Sequence, residues 1–503
     1  MARDRWTLWA CVSLFLVVFG ARGWSVHYAG SDLPHWDQWF ADLGGIIGPL
    51  ADGSFRLMDL AAPQNEHRLL YTKALTLGLA EWSGRWEPTD GLLVSALVRA
   101  ADLVCVFIVL GLNQPAVIRG ILLLLLAGIG SLPIGVFNLL SGFQVQFFIG
   151  EPLMILALAL LCGGRLTVER LASGAAVLLL ALFNMATPLV TATAAGLVLT
   201  LRAILGQDRM KAGLTAAFLF IFAAFVFWTA PGQIWLKLSA RSLPEFASVL
   251  VRLLAWPFPD LPALAILAPI PTFLLLARVV RGRETREWSW FLLALGVHGL
   301  VQEAAIAYAR ALSGGGFPQY RDGLWLRLAA GFVILAEALR PERPAEARRM
   351  VRICALWALG LGAALIADAA FRGAPQLERF KDAAAVRQPA FAQALQNGDL
   401  SEFEAEYRTI LGEGSLEFFD HPSRRFAIPE LYIGKLKEER RRLLPWLPAA
   451  LVGATPSRLT QALTGVASLG PVFLILGLIP LFVVTREVAR PPASVDEPRG
   501  TLE

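Results

Sequence analysis

Residues 91–112 read GLLVSALVRAADLVCVFIVLGL. As a helix this run rises about 33 Å, enough to cross the roughly 30 Å hydrocarbon core of a bilayer. Its charges are Arg99 and Asp102, three apart, so they can pair on one helix face. A helix closes its own backbone hydrogen bonds, which a segment without water requires. Comparable apolar stretches occupy residues 6–20, 120–136, 152–162, 171–186, 188–205, 212–230, 261–280, 288–312, 323–339, 351–371 and 466–485. The pattern predicts an all-α polytopic membrane protein of about twelve transmembrane helices. Composition agrees: 56% of the 503 residues are hydrophobic and 17% charged, more apolar matter than a water-soluble core uses.

Charge placement predicts the orientation. With a cytoplasmic N-terminus, alternate connections carry Arg119, then Arg165 and Arg170, Arg209 and Lys211, Arg278 to Arg286, and Arg340 to Arg352. All of these then lie inside, as the Lys/Arg excess of cytoplasmic loops demands. The net charge of +5 is thereby explained by orientation in the membrane, not by nucleic acid. The first run is expected to be a retained helix, since Ala21 to Trp24 make a poor cleavage site. Short loops, and cysteines confined to apolar runs (Cys11, Cys105, Cys162, Cys354), suit a bacterial inner membrane with both termini cytoplasmic.

This reading divides the chain into a multi-span membrane domain, 1–370, with a first outer loop at 21–90. A mainly helical outer (periplasmic) domain follows at 371–465, then a last transmembrane helix at 466–486 and a disordered cytoplasmic tail at 487–503. In the outer domain Phe403, Tyr407, Ile410 and Leu411 form a helical stripe. Lys435 to Arg442, interleaved with Leu436, Leu443, Leu444 and Trp446, read as an amphipathic helix on the membrane surface.

The polar segments assigned to the outer side carry the candidate chemistry. A first loop of about seventy residues far exceeds a simple helix connection, and long ordered loops tend to be functional. Asp32 ahead of Pro34 reads as a helix N-cap, with Trp36, Trp39, Phe40 and Leu43 on one face of the helix that follows. At about 100° per residue Asp37 borders that aromatic face and Asp42 points away. Asp37 is therefore the expected working carboxylate, partly desolvated and suited to take a proton from an acceptor hydroxyl. Farther along, Glu66, His67 and Arg68 stand side by side, Glu66 as a second candidate carboxylate and Arg68 as a phosphate ligand. Arg310 and Arg321 flank Ser313 to Gly316 and are placed to clamp a phosphate, beside Tyr320. No P-loop, dinucleotide fingerprint, HExxH or Cys/His metal spacing is present. A divalent cation remains compatible with the hard oxygens of Asp37 and Glu66.

A short first span, a long outer loop bearing an acid, many further spans and a helical outer domain near the C-terminus resemble the GT-C superfamily of membrane glycosyltransferases. The stretches Trp36-Asp37-Gln38-Trp39 and Asn65-Glu66-His67-Arg68 look like ones found in bacterial membrane proteins of this broad kind. The resemblance implies a sugar moved from a polyprenyl-phosphate donor to a cell-envelope acceptor (glycan, lipid or protein), with the catalytic acid in the first outer loop, here Asp37 or Glu66. It departs from the pattern in the order Tyr320 then Arg321 and in lacking an adjacent acidic pair in that loop. The rival expectations are a transporter or flippase, which needs polar groups deep within several spans, and a non-catalytic envelope scaffold.

Overall fold

The computed structural model describes residues 2–35, 37–64, 67–83, 86–111, 113–230, 238–282, 286–313, 318–397 and 456–489. Each of the twelve apolar stretches holds a helix, and the described residues contain no named strand. Eight helices are long and apolar enough to cross a membrane, or nine if a bent pair near the C-terminus counts as one span. The remaining stretches fall short for visible reasons. Ala116–Ser131 and Val168–Leu182 have 16 and 15 residues, and Arg321–Ala338 carries Arg321, Asp322, Arg327 and Glu337.

In chain order the helices that build the bundle are α1 (Ala2–Ala29), α2 (Leu70–Ser83), α3 (Pro88–Gly111), α4 (Ala116–Ser131), α5 (Val145–Cys162), α6 (Val168–Leu182), α7 (Thr187–Ile204), α8 (Arg209–Trp228), α9 (Leu243–Leu254) and α10 (Ile270–Val280). They continue as α11 (Glu287–Ala309), α12 (Arg321–Ala338), α13 (Pro344–Asp368), α14 (Ala374–Asn397), α15 (Pro456–Ser468) and α16 (Gly470–Ala489). One core runs through the bundle, with Phe107, Trp290, Phe291, Trp325 and Phe332 fully buried. The reverse faces are apolar too: on α8, Ile221 is 70% exposed and Trp228 86% exposed. Helices apolar all round need an apolar solvent, and a membrane supplies it. The first helix is part of this core through Ala10, Leu14, Val17 and Val18.

The last helix docks on the first with backbones nearly touching. A Cβ on Gly20 would lie 2.5 Å from the Leu474 nitrogen, and one on Gly477 would lie 2.7 Å from the Val17 nitrogen. Small residues at a helix crossing in lipid convert close approach into dispersion and packing. Any side chain at either glycine forces the two helices apart.

The connections fall at two ends. At one, Arg165 pairs with Glu287 at 3.5 Å, Arg286 with Glu337 at 2.9 Å, and Arg278 donates to the Arg340 carbonyl at 2.7 Å. These are the arginine-rich connections that charge placement groups on one side. At the other end, called here the loop face, gather the 21–90 loop, the 132–144 connection, α9 and α14. There α13 does not stop at the bundle. A π-helical turn, Ala369–Gly373, joins it to α14, and the rod continues to Asn397. A Cβ on Gly373 would lie 1.6 Å from the Pro133 carbonyl oxygen, so this turn seats on the bundle only as glycine. The stripe at 403–411 and the basic segment at 435–446 lie outside the described residues.

Candidate functional site

The first loop folds against the loop face by specific bonds. Asp32 Oδ1 accepts from the Thr89 backbone N–H at 3.2 Å, so it satisfies an amide in the first turn of α3. That following segment, Gln38–Ile47, is a π-helix, and this changes which side chains meet. Five α-helical steps would put Asp42 about 140° from Asp37. In i→i+5 bonding the wider turn brings a residue five on back towards the same side. Asp42 is accordingly 2% exposed and accepts from Thr76 Oγ1 of α2 at 2.8 Å. Asp37 is half-buried. Asp42 is thus held against α2, while the side chains of Trp36, Trp39, Phe40 and Leu43, from which it is expected to point away, lie outside those described.

Burial pushes the Asp42 carboxyl up to about 7, with the Thr76 and Gln38 hydrogen bonds opposing and the neighbouring Asp37 charge reinforcing the rise. Asp37 and Asp42 thus form an interacting acidic pair within the loop that lacks adjacent acids in sequence. A folded pKa above the unfolded one means the folded chain holds a proton that the unfolded chain has lost between about pH 4 and 7. The contribution to stability is complete below about 4 and lost as pH rises through 7. Wild-type thermal stability is therefore expected to fall between about pH 4 and 7, and Asp42→Asn to flatten that slope; an unchanged slope in the variant would remove Asp42 as its source.

The rest of the loop is pinned to the α6–α7 turn. Leu69 takes a left-handed backbone at φ 52°, costly for a branched side chain, and its N–H donates to the Asn184 carbonyl at 3.1 Å. His67 Nδ1 accepts from the Ala186 N–H at 3.2 Å, which fixes the neutral tautomer with its proton on Nε2. Lys73 Nζ donates to the Ala62 carbonyl at 2.6 Å and the Asp59 carbonyl at 3.2 Å, stapling the middle of the loop. Arg68 is half-buried beside them. Glu66 lies outside the described residues.

Arg321, the first residue of α12, stacks on Trp256 at 5.6 Å and donates to Gln376 Oε1 at 3.3 Å. The cation sharing that indole is Arg372, also at 5.6 Å, which no spacing in the sequence ties to Arg321. Arg372 bonds Asp368 Oδ1 at 3.1 Å and the Pro257 carbonyl at 2.6 Å. Arg321 and Arg372 thus share one indole, with Asp368 and Asp322 both acting on Arg321. Arg310 caps α11, with its Nη1 on the Ala309 carbonyl at 3.3 Å. Gln376 and Phe380 are one turn apart on α14, and the Phe380 ring lies 5.3 Å from that of His35. Gln376, which Arg321 bonds, and Phe380, which His35 meets, are thus separated by a rise of about 6 Å along α14. Burial holds His35 neutral, its pKa pushed down to about 4, with Arg387 adding to the shift.

Deeper in the bundle lies a second charged cluster. Arg99 bonds Asp102 at 2.6 Å and also Glu151, and sits 3.7 Å from Asp322. Arg22 reaches Asp322 at 3.4 Å and the Gly130 carbonyl at 3.0 Å. The Phe148 ring takes both cations, Arg22 at 5.0 Å and Arg99 at 4.7 Å. Asn138 donates to Asp322 at 2.8 Å. The Arg99–Asp102 pairing is legible at spacing three; Arg22 and Asp322 come from 300 residues apart.

Beside this cluster a cavity of about 90 Å³ opens between α5, α10, α11 and α12, room for several water-sized groups. Its wall includes Tyr320, whose ring meets Phe147 edge-on at 6.3 Å. Phe147 also packs under Ala41 and Leu69 of the first loop, so the loop roofs the cavity. Among the described residues, no group of three or more His, Cys, Asp or Glu side chains is arranged to hold a metal ion. Comparison with protein-family models, with curated proteins and with solved structures yields no match.

Proposed function

We propose that the protein is a membrane glycosyltransferase that moves a sugar from a polyprenyl-phosphate donor to a cell-envelope acceptor at the outer face of a bacterial inner membrane. One observation carries this reading: a carboxylate pair on the first loop and an arginine pair both lie against α14 at one end of an apolar bundle. The acceptor hydroxyl oxygen attacks the anomeric carbon and its proton passes to Asp37. The bond from that carbon to the phosphate oxygen breaks, and the electron pair leaves with the phosphate, facing Arg321 and Arg372. His67 and Arg68 border the acceptor side. The donor's chain stays in lipid while its phosphate reaches the bilayer surface, which is why such a reaction belongs on this face. The test is release of polyprenyl phosphate from a panel of polyprenyl-phosphate sugars by purified protein with mixed envelope acceptors. Release with sugar incorporation supports the reading, and no turnover with any donor counts against it.

Glu151 faces both the buried Arg99 cluster and the cavity, and this favours a second reading, a transporter or flippase of a lipid-linked or polar substrate. Transfer proceeds in detergent micelles, whereas transport needs a sealed vesicle, so the same panel separates the two.

A further inference from the structure

The helix α13 starts at the arginine-rich end of the bundle, opposite the loop face, and its two sides differ in chemistry. Met350, Cys354 and Leu365 are buried in the core, with Trp357 and Leu361 packed against it. Residues 349, 352, 356, 359, 363 and 366 follow steps of three and four, so they share the other face. That face is open: Leu356 and Leu359 are each 70% exposed and Ile366 is 63% exposed. Its first two turns carry Arg348, Arg349 and Arg352, all exposed. These three guanidiniums make no hydrogen bond or ion pair among the described residues. Elsewhere at the same end Arg165 meets Glu287, Arg202 meets Asp208, and Arg286 and Arg340 both meet Glu337. Glu346, one turn before Arg349, is engaged at the helix start, where its Oε2 accepts from the Glu342 N–H at 3.0 Å. Over residues 340–352 there are five arginines and two glutamates, so the partner that suits this surface is an anion. From Arg352 the helix rises about 10 Å to Leu359 and about 21 Å to Ile366, whereas one leaflet of hydrocarbon is about 15 Å thick. A phosphate at the arginines therefore lays an acyl chain along Leu356 and Leu359. A soluble anion gains nothing from that apolar stripe.

We infer that this face of α13 binds an anionic phospholipid of the surrounding bilayer, its phosphate on Arg348, Arg349 and Arg352 and an acyl chain along Leu356 and Leu359. The inference goes beyond the transfer reading and is independent of it, because the site lies at the opposite end of the bundle and needs no reaction. The three side chains are exposed and unpaired, so replacing them by Gln leaves the core untouched. The experiment titrates the full-length protein in detergent with dioleoyl phosphatidylglycerol or dioleoyl phosphatidylcholine, and bound lipid is counted by native mass spectrometry. One phosphatidylglycerol is expected to bind saturably and roughly 10- to 100-fold more tightly than phosphatidylcholine, on the basis of about fivefold for each arginine near an anionic headgroup. That preference is expected to vanish when Arg348→Gln, Arg349→Gln and Arg352→Gln are combined. It is expected to persist when Arg209→Gln and Lys211→Gln are combined, which removes exposed charge elsewhere at the same end. Equal loss in both variants would reveal a diffuse charge effect and overturn the site, as would equal affinity of the wild type for the two lipids. Displacement of the lipid by an equal concentration of glycerol phosphate would assign the arginines to a soluble phosphate, and displacement by polyglutamate to an acidic partner; either result overturns the inference.

Discussion

Asp37→Asn is expected to abolish sugar transfer while leaving the protein folded, a loss of about 10²–10⁴-fold, the usual worth of a positioned general base. The carboxylate is half-buried, and Asn has nearly the same size and shape, so the substitution opens no cavity. Its neighbour sets the pH behaviour. Asp42, held up to about 7 by burial, loses its proton across the neutral range and changes the field at Asp37 as it does so. Transfer by the wild type should therefore bend near pH 7, and Asp42→Asn should remove that bend with a smaller loss of rate than Asp37→Asn. Full activity in Asp37→Asn, measured as donor consumed per protein over time, would take Asp37 out of the mechanism. Normal thermal stability in the same variant is the control that gives a lost rate its meaning.

The largest effect on stability is expected at Arg99. The side chain is 0% exposed and faces Asp102, Glu151 and Asp322. In Arg99→Met, Asp102 and Glu151 lose the cation they bond, in surroundings where a stranded buried charge costs about 3–5 kcal/mol. Such a loss should show as a fall in thermal unfolding temperature in detergent and a lower yield of folded protein in membranes. Adding Asp102→Asn and Glu151→Gln to Arg99→Met should recover most of the deficit, since the carboxylates left without a partner are then neutral. Arg99→Lys should fall between, because a point charge cannot engage several carboxylates as the planar guanidinium does. An Arg99→Met protein within about 1 kcal/mol of wild type would show that the cluster carries little stability.

The architecture was legible in sequence wherever one-dimensional rules suffice. The apolar stretch 91–112 is α3 almost residue for residue, and the arginine-rich connections do gather at one end of the bundle, as their alternation implies. Arg99 and Asp102 pair as their spacing allows. What stayed hidden depends on the third dimension or on backbone geometry. The angles of an α-helix do not apply to Gln38–Ile47, which is wound as a π-helix, and Gly44 with Gly45 gives the segment little preference for an α-turn. Arg372 joins Arg321 only through Trp256, and Arg22 meets Asp322 only because α1 and α12 pack across the bundle. The cavity wall draws residues from six helices, α3, α5, α7, α10, α11 and α12, and no local pattern marks them. Arg310, expected to share the clamp with Arg321, bonds the Ala309 carbonyl at the end of its own helix.

The central claim is that the loop face of this bundle holds a lipid phosphate between Arg321 and Arg372. The most direct measurement is binding of a polyprenyl phosphate to the purified protein in nanodiscs, comparing wild type with Arg321→Ala and Arg372→Ala. Each arginine contributes a charge-assisted bond worth about 1.5–3 kcal/mol, so saturable binding should weaken by roughly 10- to 100-fold in either variant. Binding that is absent in the wild type, or equal in all three proteins, would contradict the assignment and leave the arginine pair as a purely structural clasp on Trp256.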